Sequence, residues 1–436
     1  MRDPEGELAL DAQWVYRHRH APLNTDHFLL GPVARKWVQT QGLIPYEIID
    51  ACSLRSPRVP FVSQPTEWCD QQLFDAGELT LSLAEAVLTE RRELKDASAW
   101  NVIFDGCSPV FCDLFSVQEL KSRRWWAFGQ FARHFLLPLM LSKQRGLRSY
   151  SSFQLWRDGV VPEAAVRLLG WRRWLPRSAL LLAQTTDAAT PFTSDDEPAD
   201  PEFSARLLNG LRWTLKGLAP RSSRSQWGLY ESQRLHYDDQ AIAAKRDAVR
   251  NWLARFAPQR VVDLGCNAGE FSRLAADAGA HVVCLDGDHE AIQTLYRGSA
   301  GDRRLFPVIA NLDDLCGGRG WEGSEHPGLL DRLCDWRADL VMALALIHHL
   351  MTASIPLARI ASFLGKLTQR WVIVEFIDES DEQLQLLCRQ RRRHPAEFGL
   401  QAQRSEFEAA GFDVVDLITL PGVARQLALL QRGAAQ

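Results

Sequence analysis

Residues 261–272 read Val-Val-Asp-Leu-Gly-Cys-Asn-Ala-Gly-Glu-Phe-Ser, and no other stretch limits the fold as tightly. A β-branched run ends in a carboxylate, turns through two glycines and continues at helical spacing, which predicts a ligand loop between a strand and a helix. Beyond it a second strand over 281–285 leads to Asp286, where a nucleotide-binding βαβ unit places its ribose carboxylate. A tight turn without a ligand accounts for the glycines. It leaves the acid at the end of each of two consecutive strands unexplained.

The loop's chemistry narrows the ligand. A dinucleotide loop wants glycine at 267 and 270, so that backbone can approach a pyrophosphate at the positive end of a helix. Here those positions hold Asn267 and Glu270. A carboxylate beside two phosphates is repelled, whereas the ammonium and sulfonium of S-adenosylmethionine are favoured by Asp263 and Glu270 nearby. The expected cofactor is S-adenosylmethionine.

A chain of 436 residues exceeds one ordinary core, so two domains are expected. The formal charge of -4 argues against bulk nucleic-acid binding. Nine scattered cysteines without a Cys-x-x-Cys pair suit thiols in a reducing compartment, and the charged start lacks the apolar run of a signal peptide. The expectation is a cytoplasmic protein. The most apolar stretch, 135–141, is broken by Pro138 and far short of the ~20 residues of a membrane span, so none is expected.

Residues 185–201 are rich in Thr, Ser, Asp, Ala and Pro and have no hydrophobic period, which marks a linker. Residues 203–227 are ambiguous. Downstream, 239–256 reads as a lead-in helix with Ile242, Val249, Trp252 and Phe256 on one side. Strand 260–264 is followed by a helix facing a sheet with Phe271, Leu274, Ala275 and Ala278 and stopped by Gly279. Strands are predicted at 281–285, 305–310, 338–344 and 371–376, and helices around 290–297, 356–364 and 382–393. A hairpin of 412–420 and 426–431 ends the chain at the sheet edge. Continuous apolar strands imply burial on both faces and a mostly parallel sheet.

That succession resembles the class I S-adenosylmethionine-dependent methyltransferases over about 230–436. The resemblance implies a Rossmann-like, seven-stranded, mostly parallel sheet with one antiparallel strand. By the same resemblance, the loop of Gly265, Cys266, Asn267 and Gly269 holds the methionine part, with Asp263 as the strand-end acid. Asp286 takes the ribose hydroxyls, Gly287 and Asp288 lie by the adenosine, and Asn311 and Leu312 border the adenine.

After the fourth strand, residues 343–350 read Ala-Leu-Ala-Leu-Ile-His-His-Leu. His348 and His349 are candidates for a general base, because an alcohol must shed its proton as the methyl transfers and an imidazole titrates near neutrality. Only one is expected to face the pocket, and both could instead shape its wall. Glu375, ending the fifth strand, is the other candidate base, or else a structural hydrogen-bond partner. Positioning alone could supply much of the catalysis, since well-oriented systems gain roughly 7–11 kcal/mol. The Arg389-Gln-Arg-Arg-Arg-His394 run could hold an anionic acceptor, although such a run is usually a solvated helix face. Tyr237 and Lys245 could close over the cofactor.

The amino-terminal half carries Leu94-Lys-Asp-Ala-Ser-Ala-Trp-Asn-Val-Ile-Phe-Asp105, then Pro109-Val-Phe-Cys-Asp-Leu-Phe115. Asp96, Asn101 and Asp113 resemble the catalytic loop and magnesium aspartate of the protein kinase and aminoglycoside phosphotransferase fold, with a helix over 78–91 before them. The resemblance makes Asp96 a base and places Asn101 and Asp113 on magnesium with ATP. Departures are clear. Lys95 replaces the usual His-Arg or His-Gly, Leu-Phe follows Asp113, no glycine-rich loop precedes, and Lys36, the only earlier lysine, lies in a stretch that reads as helix. A degenerate, α+β kinase-like domain for binding or scaffolding is therefore expected; a coincidental strand-turn-strand is the bland alternative. Trp125, Trp126, Trp156, Trp171 and Trp174, interleaved with Arg123, Arg124, Arg172 and Arg173, are expected to fill cores rather than to stack on sugars or bases.

Together with Ser63-Gln-Pro-Thr-Glu-Trp68, these motifs resemble a bacterial family of two-part methyltransferases that includes the NoeA-type nodulation proteins. The expected organisation is a kinase-like domain over 1–186, linker and lead-in over 187–228, and a methyltransferase domain over 229–436. The expected activity is methylation of an oxygen on a small-molecule, sugar or glycan-type acceptor. The oxygen assignment rests on the paired histidines and on the absence of an Asn/Asp-Pro-Pro-Tyr/Phe motif after the fourth strand. Two alternatives stand beside it. One is a bifunctional enzyme that phosphorylates through Asp96 and Asp113 and then methylates. The other is a non-catalytic S-adenosylmethionine-binding partner protein.

Overall fold

The computed structural model describes residues 6–121, 123, 125–175, 182, 198–221 and 239–433. Tyr237, Arg124, most of the linker at 185–201 and the end of the 203–227 stretch lie outside them. The chain divides into two compact units: Met1–Arg221 with Arg319–His326, and Ser222–Gly318 with Pro327–Gln436.

The first unit opens with a four-stranded antiparallel sheet of β1 (Gly6–Leu10), β2 (Trp14–Arg19), β3 (Glu47–Ile48) and β4 (Ser53–Pro57), in the order β1-β2-β4-β3. Helix Pro32–Gln39 lies between β2 and β3 in sequence, and Lys36 sits on it, exposed. Helix Asp70–Leu88 follows a short 3₁₀ turn whose seat explains the Ser-Gln-Pro-Thr-Glu-Trp motif in structural terms. Buried Glu67 accepts from the Gln64 amide at 3.0 Å, and the fully buried Trp68 donates its indole N–H to Ser63 Oγ at 3.0 Å. That is a capping box locked by an aromatic anchor.

After the helix come β5 (Arg92–Leu94), the Asp96 loop, a hairpin of β6 (Val102–Asp105) with β7 (Ser108–Phe111), and β8 (Val117–Glu119), which pairs with β5. Helix Pro201–Gly217, within the stretch expected to be linker and lead-in, packs on helix Asp70–Leu88. Arg212 reaches both Glu85 oxygens, at 3.1 and 3.0 Å, and Ser82 Oγ at 3.0 Å. Leu208, Leu211 and Leu215 recur at helical spacing and are buried, an amphipathic signal that the loop-like residues before Pro201 obscure.

The second unit is a seven-stranded sheet of β9 (Arg260–Leu264), β10 (His281–Asp286), β11 (Leu305–Ile309), β12 (Ala338–Ala343), β13 (Thr368–Ile377), β14 (Phe412–Thr419) and β15 (Arg425–Arg432). Its order is β11-β10-β9-β12-β13-β15-β14, with β15 antiparallel to both neighbours and the remaining pairs parallel. Val261 and Val262 pair with Val282 and Val283 on one side and with Leu340 and Val341 on the other. All six are buried, as apolar strands covered on both faces should be. The terminal hairpin forms, but β15 lies inside the sheet, and of the two hairpin strands only β14 stands at an edge.

The lead-in helix spans Asp239–Phe256 and is seated by Trp252, whose indole donates to Asp416 on β14 at 2.9 Å. Helix Glu270–Asp277 differs from expectation by one position. Ser272, Ala275 and Ala276 are its buried residues and Ala278 is exposed, because the Ser272 hydroxyl finds a buried partner and can face inward. Helices Leu329–Trp336, Ile347–Thr352 and Leu400–Ala409 were not predicted.

Candidate functional site

At the carboxyl end of β9 the chain turns sharply. Gly265 at φ 70°, Asn267 at φ 49° and Gly269 at φ 82° all occupy the left-handed region, and helix Glu270–Asp277 begins directly after them. The glycines are required twice over. A Cβ at Gly269 would meet Leu295 Cδ1 at 2.4 Å, and one at Gly265 would meet Leu346 Cδ1 at 3.3 Å.

Two acids flank the turn. Asp263 is buried within β9 and accepts from Ser272 Oγ at 2.6 Å; burial pushes its carboxyl up to about 6, with the hydroxyl acting against that shift. Asp286 ends β10 and accepts the Asn267 N–H at 2.9 Å and the Asp288 N–H at 2.8 Å, while burial raises its pKa. Asp286 thereby ties the two turns together. Asn267 Oδ1 is buried and has no hydrogen-bond partner among the described residues. A buried acceptor left open in a turn of left-handed backbone has room for a ligand's hydrogen bond.

The other expected cofactor residues gather around the same end. Gly287 is exposed, and a Cβ there would lie 2.9 Å from Asn311 Oδ1. Leu312 follows, half-buried. Asp288 has a structural task as well: its Oδ1 accepts the N–H groups of Glu290 and Ala291 and caps helix His289–Gly298. Cys266 is buried in the turn, and all nine cysteines are free thiols. Glu270 departs from its expected role. It is ion-paired with Arg246 of the lead-in helix, which neutralises the charge expected to face the sulfonium.

Beyond β12, Ala345 adopts φ 51°, and the histidines fall on helix Ile347–Thr352 rather than on the strand end itself. His348 is buried and His349 half-buried, with ring centroids 4.1 Å apart. Leu346, against Gly265, brings this helix to the glycine turn.

Glu375 has a different geometry from that of a base ready to take a proton. It is fully buried and accepts from Lys245 Nζ at 2.6 Å and from Arg425 at 3.3 Å. Arg425 in turn donates to Asp381 at 2.8 Å, and Asp381 caps helix Glu382–Arg391. The four charges are buried together, so each is held by its neighbours. This arrangement also corrects the expectation for Lys245, whose ammonium is occupied inside the unit instead of closing over a ligand. The arginine run is largely a solvated face: Arg389, Arg391 and Arg392 are exposed, and Arg393 is engaged by Glu397 and Ser354.

In the first unit the Asp96 loop is pinned from several sides. Trp125 donates to Leu94 O at 2.9 Å, Gln130 accepts from Ala97 N at 2.8 Å, and Trp100 donates to Arg157 O at 2.9 Å. His134 Nδ1 accepts from Ala99 N at 3.3 Å, and burial holds this imidazole down at about 3. Asn101 Nδ2 stands 3.5 Å from Asp113 Oδ2, so the two expected magnesium residues do come together. Asp113 Oδ1 meanwhile accepts from Phe115 N at 3.1 Å, and Asp96 Oδ1 from Ser98 N at 2.9 Å. Among the described residues no group of three or more His, Cys, Asp or Glu stands ready for a metal. The expectation of buried tryptophans holds for Trp125 and fails for Trp126, Trp171 and Trp174, which are exposed.

Sequence reasoning missed Ser272, Arg246, Arg425 and His134. Ser272 stood in the diagnostic motif and had a readable signal, since a hydroxyl two residues into the helix can turn back to the strand acid. The other three acquire meaning only from residues distant in the chain.

Residues 235–417 match the family described as methyltransferase domain. Nodulation protein NoeA of Rhizobium meliloti (strain 1021) is 27% identical over 395 residues, covering 87% of this chain and 82% of that one. Magnesium protoporphyrin IX methyltransferase of Synechocystis PCC 6803, solved with bound SAH, aligns at TM-score 0.34 and 18% identity over 48% of this chain and 95% of its own. WbdD aligns at TM-score 0.32 and 19% identity over 50% of this chain and 46% of its own. Among the described residues no helix is long and apolar enough to cross a membrane. The strand order, the glycine turn and the domain match agree on a Rossmann-like, S-adenosylmethionine-dependent methyltransferase domain over residues 235–417.

Proposed function

We propose that the C-terminal unit binds S-adenosylmethionine at the Gly265–Gly269 turn and transfers its methyl group to an oxygen of a small-molecule, sugar or glycan-type acceptor held at helix Ile347–Thr352. The observation that carries this reading is the approach of Leu346 to Gly265, which sets the histidine helix directly against the donor turn. The cofactor supplies the electrophilic methyl group. The turn fits it: Asn267 Oδ1 is an open buried acceptor, and Asp263 is a carboxyl whose ionised form a nearby positive charge favours. On this reading Gly265, Cys266, Asn267 and Gly269 hold the methionine part, Asp286 the ribose, Gly287 and Asp288 the adenosine, and Asn311 and Leu312 the adenine.

An in-line displacement needs the acceptor oxygen behind the methyl group, and its proton must leave as the new bond forms. We assign that proton to the imidazole pair, with His349, the more accessible ring, meeting the acceptor. Glu375 is committed to Lys245 and Arg425 and serves the unit's stability. Binding is tested by calorimetry with S-adenosylmethionine and its demethylated product; absence of heat from both, with folded protein, removes the reading. Mass spectrometry of the methylated product should show an ether or ester, and an N-methyl product overturns the oxygen assignment.

For the N-terminal unit we propose a degenerate kinase-like domain, over 1–186 and extended by helix Pro201–Gly217, that binds or scaffolds. One observation favours a second reading as a bifunctional kinase and methyltransferase, namely the meeting of Asn101 with Asp113. These two residues would hold magnesium with ATP, which supplies the phosphoryl group. Magnesium-dependent ATP turnover that disappears in Asp113→Ala would establish it, and no nucleotide binding at millimolar ATP would exclude it.

A further inference from the structure

Helix Pro162–Leu169 ends at Gly170, φ 57°, and the chain continues as a 3₁₀ turn, Gly170–Trp174. Such a turn has three residues per revolution, so positions 171 and 174 fall on one edge. Trp171 is 70% exposed and Trp174 72%, and the flanking Leu168 and Leu175 are exposed as well. Each indole carries a guanidinium beside it, Arg172 at 5.7 Å from the Trp171 ring and Arg173 at 5.0 Å from the Trp174 ring. Arg167, one turn earlier, is exposed too.

The chemistry of this edge selects an occupant. Residues 164–175 contain three arginines and no acid, in a chain whose overall charge is -4, so the positive charge is local. A sugar-binding platform needs amides, carboxylates or hydroxyls around its aromatic rings to bond the sugar hydroxyls. This stretch has none of them. Indoles with exposed leucines and arginines instead match the boundary between lipid headgroups and acyl chains, where the ring is half wetted and the guanidinium meets phosphate.

We propose that the edge formed by Leu168, Trp171, Trp174 and Leu175 seats on an anionic lipid surface, with Arg167, Arg172 and Arg173 against the lipid phosphates. The attachment is peripheral and does not depend on the reading of the catalytic site.

The test is co-sedimentation of the full chain with vesicles of phosphatidylcholine alone or enriched in phosphatidylglycerol. The intact protein should bind the anionic vesicles at least about ten-fold more tightly and lose that binding as salt rises. Trp171→Ser with Trp174→Ser, and separately Arg172→Glu with Arg173→Glu, should each weaken it by at least about ten-fold while melting temperature and S-adenosylmethionine binding stay unchanged. If the serine variant melts early, the charge-reversed variant decides. Equal binding to both vesicle types, no binding to either, or full binding by the folded variants would each overturn the proposal. So would an oligosaccharide binding at these tryptophans in protein that ignores vesicles.

Discussion

The two units each carry a loop with acids after a short strand, and the loops treat their polar atoms in opposite ways. At the Gly265–Gly269 turn, Asn267 Oδ1 is buried with no partner among the described residues, and Asp263 is protonated more readily than an ordinary carboxyl. In the Asp96 loop, the Asp113 oxygens are directed to Asn101 and Phe115, and Asp96 Oδ1 to Ser98. The first loop leaves a buried acceptor open. The second spends its acceptors on its own backbone and neighbours. Burial without satisfaction is costly, so an open buried acceptor gains from any ligand that completes it.

The most severe way to sharpen this contrast is Glu375→Ala. It removes the buried carboxylate that meets Lys245 and one of the two that hold Arg425, and breaking a buried pair costs about 3–5 kcal/mol. Differential scanning calorimetry should show the C-terminal transition fall while the N-terminal one holds; a joint shift would mean that the units do not unfold independently. Gly269→Val comes next. It places a side chain against Leu295 in left-handed backbone, and donor affinity by calorimetry should drop by roughly two decades. Asp286→Ala removes the carboxylate joining the two turns and should weaken S-adenosylmethionine by about one to two decades, since a hydrogen bond to a charged group contributes roughly 1.5–3 kcal/mol.

Acid should move the two units in opposite directions. His134 is held at about 3 against an ordinary 6.5, so the unfolded chain takes the proton first. Its contribution is intact above 6.5 and is lost as pH falls towards 3, about 2 kcal/mol between pH 7 and 5. Asp263 sits at about 6 against 3.8, so the folded chain takes the proton first. Its contribution is full below 3.8 and is lost as pH rises through 6, so between pH 7 and 5 the C-terminal unit should gain about 1 kcal/mol from it. Parallel slopes in pH-dependent melting would contradict both assignments. The smallest expected effect is that of Asp113→Ala on donor affinity, within about 0.5 kcal/mol of the parent. A larger loss would tie the Asp96 loop to methyl transfer.

Much of the second unit was legible along the chain because its signals are local. A parallel strand buried on both faces reads as an unbroken apolar run, a tight turn demands glycine, and a strand-end acid stands at fixed spacing from the next. So the order of β9 to β13, the turn at Gly265 and Asp286 could be named from residues alone. The inward face of helix Glu270–Asp277 was misjudged by one position, because a serine counts as polar until its partner is known. The fate of charged residues was least legible. Glu375, Glu270 and Lys245 look like site groups in sequence, yet each is claimed by a residue 24 to 130 positions away.

By itself, then, the amino-acid order determined that this chain builds a Rossmann-like sheet with a tight glycine turn after β9, since periodicity, β-branching and glycine act over a few neighbouring residues. Only the tertiary structure decided which charges are available for chemistry. An ion pair depends on which distant segments the fold brings within a few ångströms, and no local pattern encodes that distance.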